Sequence, residues 1–467
     1  MSSILEYKNA SVPALTSLER IGPKGYLRYV FPFQLVEDYN IDQVATVLRT
    51  GYDALKNHIP VVACEAIPDL NSKQAGVLKL QRLDGPDFED IVVKDLRNSD
   101  TFPQHYSVLK EKAFPVAAFD GDIFCRRSVW PTPGERLPIS LVQANFIRGG
   151  LILTWCILHM VGDGTSFYTW TKVWASECRS ALQESFEPIH LDDAIWRDRG
   201  RMMMPSGRNF GFLKTHPEYT LLPFTPAGAP PRMLSPHHRG QVFYFSPAAL
   251  KALKAEASPA HATVPSHQPW VSTNDALSAL LWRTVMAVQS PLDTLDGNPV
   301  SVFNIAIDGR QRTHPPVHPE TLGCFLEYIA VSLPIRKILG SCNLADLAIL
   351  IRKAVLGANN QYTDDVMSLV EQLDDVDRLV PTAFLDVPGF NCILSSWARF
   401  ELYQLEWGSL LGRVEAVRTP SVGCINGLQI VLPPLPDGGV EILMGVEDSC
   451  LGRLLEEPLW MKYAVAR

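Results

Sequence analysis

Between Leu141 and Leu158 the chain is mostly apolar, with Gln143, Asn145 and Thr154 inside the runs and a break at Arg148-Gly149-Gly150. The runs Leu141–Ile147 and Leu151–Leu158 are rich in Phe, Ile, Leu, Thr and Trp, and glycines sit where the chain must reverse. This pattern predicts a β-hairpin turning at the glycines. The next segment is as constrained. His159-Met160-Val161-Gly162-Asp163-Gly164 leaves the second strand, and Phe167, Trp170, Val173 and Trp174 then recur at a spacing compatible with one helix face over Gly164–Cys178. The chain therefore ends a strand, exposes a histidine, turns on glycines and enters a helix.

The rest of the chain predicts a mixed α/β protein without the regular alternation of a doubly wound sheet. Val242–Phe245 reads as a strand, and Ser246-Pro247 caps the helix after it. Ser272–Val288 reads as a helix capped by Ser272 or Thr273, and Ser301–Ile307, Gly427–Leu432 and Glu441–Val446 read as strands. The stretch Met202–Gly240 is dense in proline and glycine and keeps neither period for long. The expected organisation is a half from 1 to 215, a Pro-rich crossover linker from 216 to 240, and a half from 241 to 467.

Of the 467 residues, 46% are apolar and 20% charged, which suits a compact folded chain. The net charge of −8 argues against a nucleic-acid partner held by phosphate contacts. No run of eighteen apolar residues is present to span a bilayer, and Met1–Lys8 lacks the pattern of a secretory signal. The nine cysteines are scattered without C-x-x-C, so reduced thiols in a cytoplasmic protein are expected.

For chemistry, His159 is the first candidate, since an imidazole with an ordinary pKa of about 6.5 can take and return a proton near neutrality. Asp163 could fix the local backbone by pairing with a distant arginine. One histidine and one carboxylate are too few for a zinc site, so no metal is expected. A structural or surface His–Asp pair is the competing reading. His237-His238 in the linker is expected to be solvated, and Asp364-Asp365 with Glu371–Asp377 to form a solvated helix face. The chain has no G-x-S-x-G nucleophile elbow and no glycine-rich phosphate loop.

In order, the motifs resemble those of the BAHD acyltransferase superfamily, specifically its fungal O-acyltransferases of the trichothecene acetyltransferase type. Leu15-Thr16-Ser17-Leu18-Glu19 is similar to the L-S-x-L-D start, and His159 to Asp163 matches H-x-x-x-D. Ser272-Thr273-Asn274-Asp275-Ala276-Leu277, ending Leu281-Trp282-Arg283, resembles S-T-x-x-A-L…W-R. Asp308-Gly309-Arg310-Gln311-Arg312 with Pro315-Pro316 resembles D-x-R-x-R…P-P, and Ser395-Ser396-Trp397-Ala398-Arg399 resembles T-S-W-x-R. Glu406-Trp407-Gly408-Ser409-Leu410 stands where the family carries D-F-G-W-G and keeps only the glycine. Leu411-Gly412-Arg413 and Glu415-Ala416-Val417-Arg418 resemble the fungal L-G-K-P-E-A-V-R.

The resemblance implies two chloramphenicol acetyltransferase-like domains with a channel at their interface, and a monomer. It implies acyl-CoA (acetyl-CoA as the family-level expectation) as co-substrate, no permanently bound cofactor, and a small-molecule alcohol as acceptor. His159 would be the general base, and Asp163 would turn away to pair with Arg310 or Arg312. Trp397 and Ser395 would serve the oxyanion or the acceptor. Glu406 and Gly408 would be supporting residues, while Ser272, Thr273 and Arg413 would meet CoA. The loosened second motif leaves open a different base-assisted reaction on the same scaffold: elimination, cyclisation or amide formation. A catalytically silent small-molecule-binding protein is also open, as is a carrier-dependent condensation domain, although Leu158 stands where that relative has a second histidine.

Overall fold

The computed structural model describes residues 13–85, 90–420 and 427–467. The readings on Met1–Lys8 and on Cys424 lie outside them. The hairpin forms as Ser140–Ile147 paired antiparallel with Gly150–Leu158, and Gly149 takes φ +75° at the turn. Every residue of both strands is buried, because each face of the hairpin is covered. Tyr26–Gln34 pairs with the outer side of Gly150–Leu158, and Val92–Asp95 runs parallel to Ser140–Ile147, completing a four-stranded mixed sheet.

Helices Ile41–His58 and Gly164–Ala181 pack on one another beside this sheet. Their contact is close at Gly51, where a Cβ would lie 2.8 Å from Cys178 Sγ. The Trp174 indole donates to the Leu48 carbonyl across the same contact at 3.1 Å. Burying indoles with their N–H satisfied gives large apolar area at little polar cost.

Seven strands make the second sheet, in the order Leu326–Pro334, Val300–Asp308, Cys392–Ser396, Leu428–Val431, Val440–Glu447, His238–Phe245 and Ala464–Ala466. Only the pairings on either side of Cys392–Ser396 are parallel. Helix Thr273–Gln289 packs against it. Its capping box joins Ser272 and Asp275, Trp282 stacks on Phe303 at 5.4 Å, and the same indole donates to Ser301 Oγ at 2.9 Å.

Three expectations change. The 216–240 stretch is partly regular: Tyr219–Leu221 pairs with Leu379–Pro381, and His238 opens a strand of the large sheet. His238 is consequently buried, with Nδ1 against the Ser235 carbonyl, while His237 is exposed as expected. Asp364 and Asp365 face inward rather than to solvent. Asp364 accepts from Ser206 and Asn209, and Asp365 meets His216 Nε2 at 2.6 Å. The eight described cysteines are unpaired thiols.

The two sheets are stitched together by residues 397–418. Val30 and Arg418 exchange backbone hydrogen bonds, and Trp407 is fully buried against Phe33 and Trp174. Arg418 donates to both oxygens of Glu441, at 2.6 and 2.9 Å, and to the carbonyls of Phe114 and Ala113. Both charges are buried. Glu441→Ala strips Arg418 of its counter-charge inside the protein, so we expect a loss of about 3–5 kcal/mol in urea unfolding, with the midpoint falling at an unchanged slope.

Candidate active site

His159 sits where strand Gly150–Leu158 ends in a single 3₁₀ turn, His159–Val161. Its position is set from both sides: the His159 backbone N–H donates to the Gly25 carbonyl at 2.9 Å, and the ring packs edge-on against Phe167, centroids 5.4 Å apart. Gly162 makes the ring contact possible, since a Cβ there would lie 2.5 Å from the Phe167 ring. The His159 Nδ1 is buried with no hydrogen-bond partner, so Nε2 is the ring nitrogen open to the adjoining cavity. Burial lowers the imidazole pKa below its ordinary value, outweighing the upward pull of nearby backbone and of Asp163. The ring is therefore neutral at neutral pH and able to accept a proton.

That cavity has a volume of about 640 Å³ and lies between the two sheets. Its wall combines Tyr26, Trp130 and His159 from the first half with Tyr328, Ser395 and Trp397 from the second, and its accessible surface is mostly apolar. Trp397 lies against Tyr29, and its backbone N–H donates to the Val431 carbonyl at 2.8 Å.

Asp163 caps helix Gly164–Ala181 through Ser166 N–H, 3.1 Å. Its carboxylate also receives Arg310 Nη1 at 2.6 Å, Arg310 Nη2 at 3.0 Å and the Phe325 N–H at 2.9 Å. Arg310 is fully buried, lies over the Phe325 ring at 4.6 Å, and also donates to the carbonyls of Thr321 and Gly323. Of the two candidate arginines it is thus Arg310 that meets Asp163. Arg312 instead lines the cavity and donates to the Val355 and Ala358 carbonyls.

Arg199, which the sequence did not single out, and three motif residues that were given no role there complete the surroundings. Glu19 and Arg199 form a second buried pair, at 2.6 and 2.7 Å, and both hold the same loop: Arg199 donates to the Leu322 carbonyl, and Glu19 accepts from the Cys324 N–H. Asp308 accepts from Arg310 and Arg399, which together hold its carboxyl below the usual range despite burial. Arg399 reaches Thr165 Oγ1 at 3.1 Å, so it spans the cavity edge. Its place in the S-S-W-A-R segment was the available signal.

The remaining sequence candidates are not brought to the cavity. Ser272 is occupied with Asp275 in the helix cap, and of that segment Asn274 reaches the lining rather than Ser272 or Thr273. Arg413 pairs with Glu406 at 2.5 Å, both half-exposed. Gly408 takes φ +94° in a turn closed by Gly412, with Leu182 2.5 Å from where a Cβ would stand. Among the described residues no cluster of His, Cys, Asp and Glu could hold a metal, and no helix is long and apolar enough to cross a membrane.

Against known proteins, the Transferase family model matches residues 123–448, and the model of the trichothecene 3-O-acetyltransferase-like N-terminal domain matches residues 26–178. The chain is 26% identical to the enoyl-CoA isomerase/hydratase claC of Penicillium crustosum, over 95% of this chain and 50% of that protein. It therefore spans half the length of that relative. It is 26% identical to the eremophilane O-acetyltransferase prx11 of Penicillium rubens, over 97% of this chain and 98% of that one. The fold is similar to the crystal structure of F. graminearum TRI101 complexed with coenzyme A and deoxynivalenol, with TM-score 0.81 and 22% identity over 97% and 99% of the two chains.

Asp163→Ala takes from the buried Arg310 guanidinium the carboxylate that receives two of its bonds, leaving Asp308 as its remaining counter-charge, and uncaps a helix. We expect a stability loss of about 3–5 kcal/mol, read by chemical denaturation, and equal losses for Arg310→Ala and the double variant if the two act as one unit.

Proposed function

The chain belongs to the Transferase family of BAHD acyltransferases, and from that premise we propose that it is an acyl-CoA-dependent O-acyltransferase. It esterifies a hydroxyl of a small specialised metabolite, with acetyl-CoA as the donor. The single observation that carries this reading is a neutral imidazole whose open nitrogen faces a large cavity, while the acid four residues on is turned away and fully engaged elsewhere. The name of prx11 as an O-acetyltransferase, and coenzyme A in a structure of the same fold, support it.

In this mechanism donor and acceptor are bound together. His159 Nε2 takes the proton of the acceptor hydroxyl as its oxygen bonds to the thioester carbonyl carbon. The negative charge gathers on the carbonyl oxygen, where Trp397 and Ser395 are assigned to stabilise it or to hold the acceptor. The carbon–sulfur bond then breaks, and the imidazolium returns its proton to the departing CoA thiolate, leaving ester and free thiol. No covalent enzyme intermediate forms, so no serine or cysteine nucleophile is needed. Asp163 touches neither substrate; through Arg310 it holds the loop that carries His159. Of the residues expected to meet CoA, Arg413 is half-exposed but paired with Glu406, so a phosphate there would have to share that guanidinium, and Ser272 stays in its helix cap.

Incubation with acetyl-CoA and a panel of alcohols, with thiol detection, tests the reading. We expect release that depends on the alcohol and falls by about 10²–10⁴-fold in His159→Ala with the melting temperature little changed. Absence of CoA turnover with any acyl donor overturns it in favour of another base-assisted reaction or of binding alone. Because burial lowers the His159 pKa, kcat should already be level at neutral pH and drop only on the acid side of the ordinary value of about 6.5.

A further inference from the structure

Behind the cavity wall lies a buried carboxyl that this chemistry does not use. Glu327 stands on strand Leu326–Pro334 between Leu326 and Tyr328, both of which line the cavity. Its own side chain takes the opposite face and is fully buried. There Thr363 Oγ1, from helix Tyr362–Glu371, lies between Glu327 Oε2 and the Gly309 carbonyl, the latter at 3.0 Å. A hydroxyl has one proton to donate, and a carbonyl can only accept. If Thr363 donates to Gly309, its contact with Glu327 has to be donated by the carboxyl.

Two further observations agree with a protonated acid. Glu327 Oε1 has no hydrogen-bond partner, a bare oxygen that a buried anion could scarcely sustain. Arg312, the cation on the adjoining turn, donates through Nη1 to the Val355 and Ala358 carbonyls. The contact is also built for close approach, since a Cβ on Gly309 would stand 2.4 Å from Glu327 Oε2.

We propose that Glu327 works as a neutral carboxylic acid, hydrogen-bonded through Thr363 to the Gly309 carbonyl, and that this chain positions Arg310 and through it the His159 loop. Glu327 is then a positioning residue. Gly309 is gripped on both sides, its N–H donating to the Phe325 carbonyl at 2.9 Å, and Arg310 is the next residue along. The activity arm of this inference rests on the acyltransferase reading; the spectroscopic arms do not.

The groups facing Glu327 come from three elements. The Thr363 contact, then Arg312 and His216, pull its pKa down, Glu218 pushes it up, and the phenols of Tyr219 and Tyr362 lie within its field. Burial exceeds them all and pushes Glu327 up to about 8. Such an acid holds its proton in the native state where the unfolded chain has released it. Its contribution to stability therefore declines as pH rises from the ordinary carboxyl value of about 4.3 and levels off above about 8.

The test compares the wild-type protein with Glu327→Gln and Thr363→Val. Glutamine can donate to Thr363 as the acid does; valine breaks the chain and leaves the carboxyl in place. Near neutral pH the infrared difference between wild type and Glu327→Gln should show the carbonyl stretch of a protonated carboxyl, and the melting temperature of Glu327→Gln should fall less steeply with pH. In Thr363→Val the His159 imidazole titration, tracked by NMR, should shift, and thiol release from acetyl-CoA should fall by about tenfold. Glu327→Gln should keep the wild-type titration and rate. A missing carboxyl band with parallel melting curves overturns the neutral acid. An unshifted His159 titration in Thr363→Val overturns its positioning role. Thiol release absent from every variant counts against the acyltransferase reading alone, because the band and the titration need no substrate.

Discussion

The pairing of Arg310 with Asp163 is the contact on which the site depends. Two opposite charges taken out of water lose several kcal/mol of hydration each, so such a pair stabilises only when all of its donors and acceptors are engaged. Here they are: Asp163 accepts two guanidinium bonds and two backbone N–H bonds, and Arg310 also reaches carbonyls on the 321–325 loop. Glu19 and Arg199 hold that same loop from its other side. The segment carrying His159 and Asp163 is thereby tied to the second half at Arg310, and the loop they share is held by a second buried ionic pair.

This arrangement separates two tasks that a histidine–carboxylate pair often combines. The carboxylate does not touch the ring; it orders the backbone. The ring is left without a charged partner, and burial keeps it neutral. The divergence of the second motif is understandable on the same grounds. Glu406 meets Arg413 locally at the protein surface, while Gly408 and Trp407 keep the turn and its anchor in the core. The motif's charge is peripheral, and its glycine and aromatic ring are what the packing requires.

Much of the fold was legible because the signals were local. Gly149-Gly150 between two apolar runs marks the hairpin, and Ser272 with Asp275 three residues later marks a helix start. The misreadings concern groups whose environment comes from far along the chain. Asp364 reads as solvated until Ser206 and Asn209 meet it, and His238 reads as linker until Val440–Glu447 pairs beside it. The Glu19–Arg199 pair joins residues 180 positions apart and has no periodicity to reveal it. Two arginines could serve Asp163 because their spacing places both near one turn. Only the direction in which that turn is wound selects Arg310 and sends Arg312 to the cavity wall.

The segment 397–418 carries one more consequence. Trp397, Tyr403, Trp407 and Val417 belong to the same apolar cluster as Phe33, Trp155 and Trp174. The N-terminal sheet thus completes its interior with side chains synthesised some 240 residues after its hairpin. During translation it must wait, incompletely covered, until residues 397–417 have emerged. A shuffled chimera cut at the Pro-rich crossover would inherit a core from one parent and its closing wall from the other.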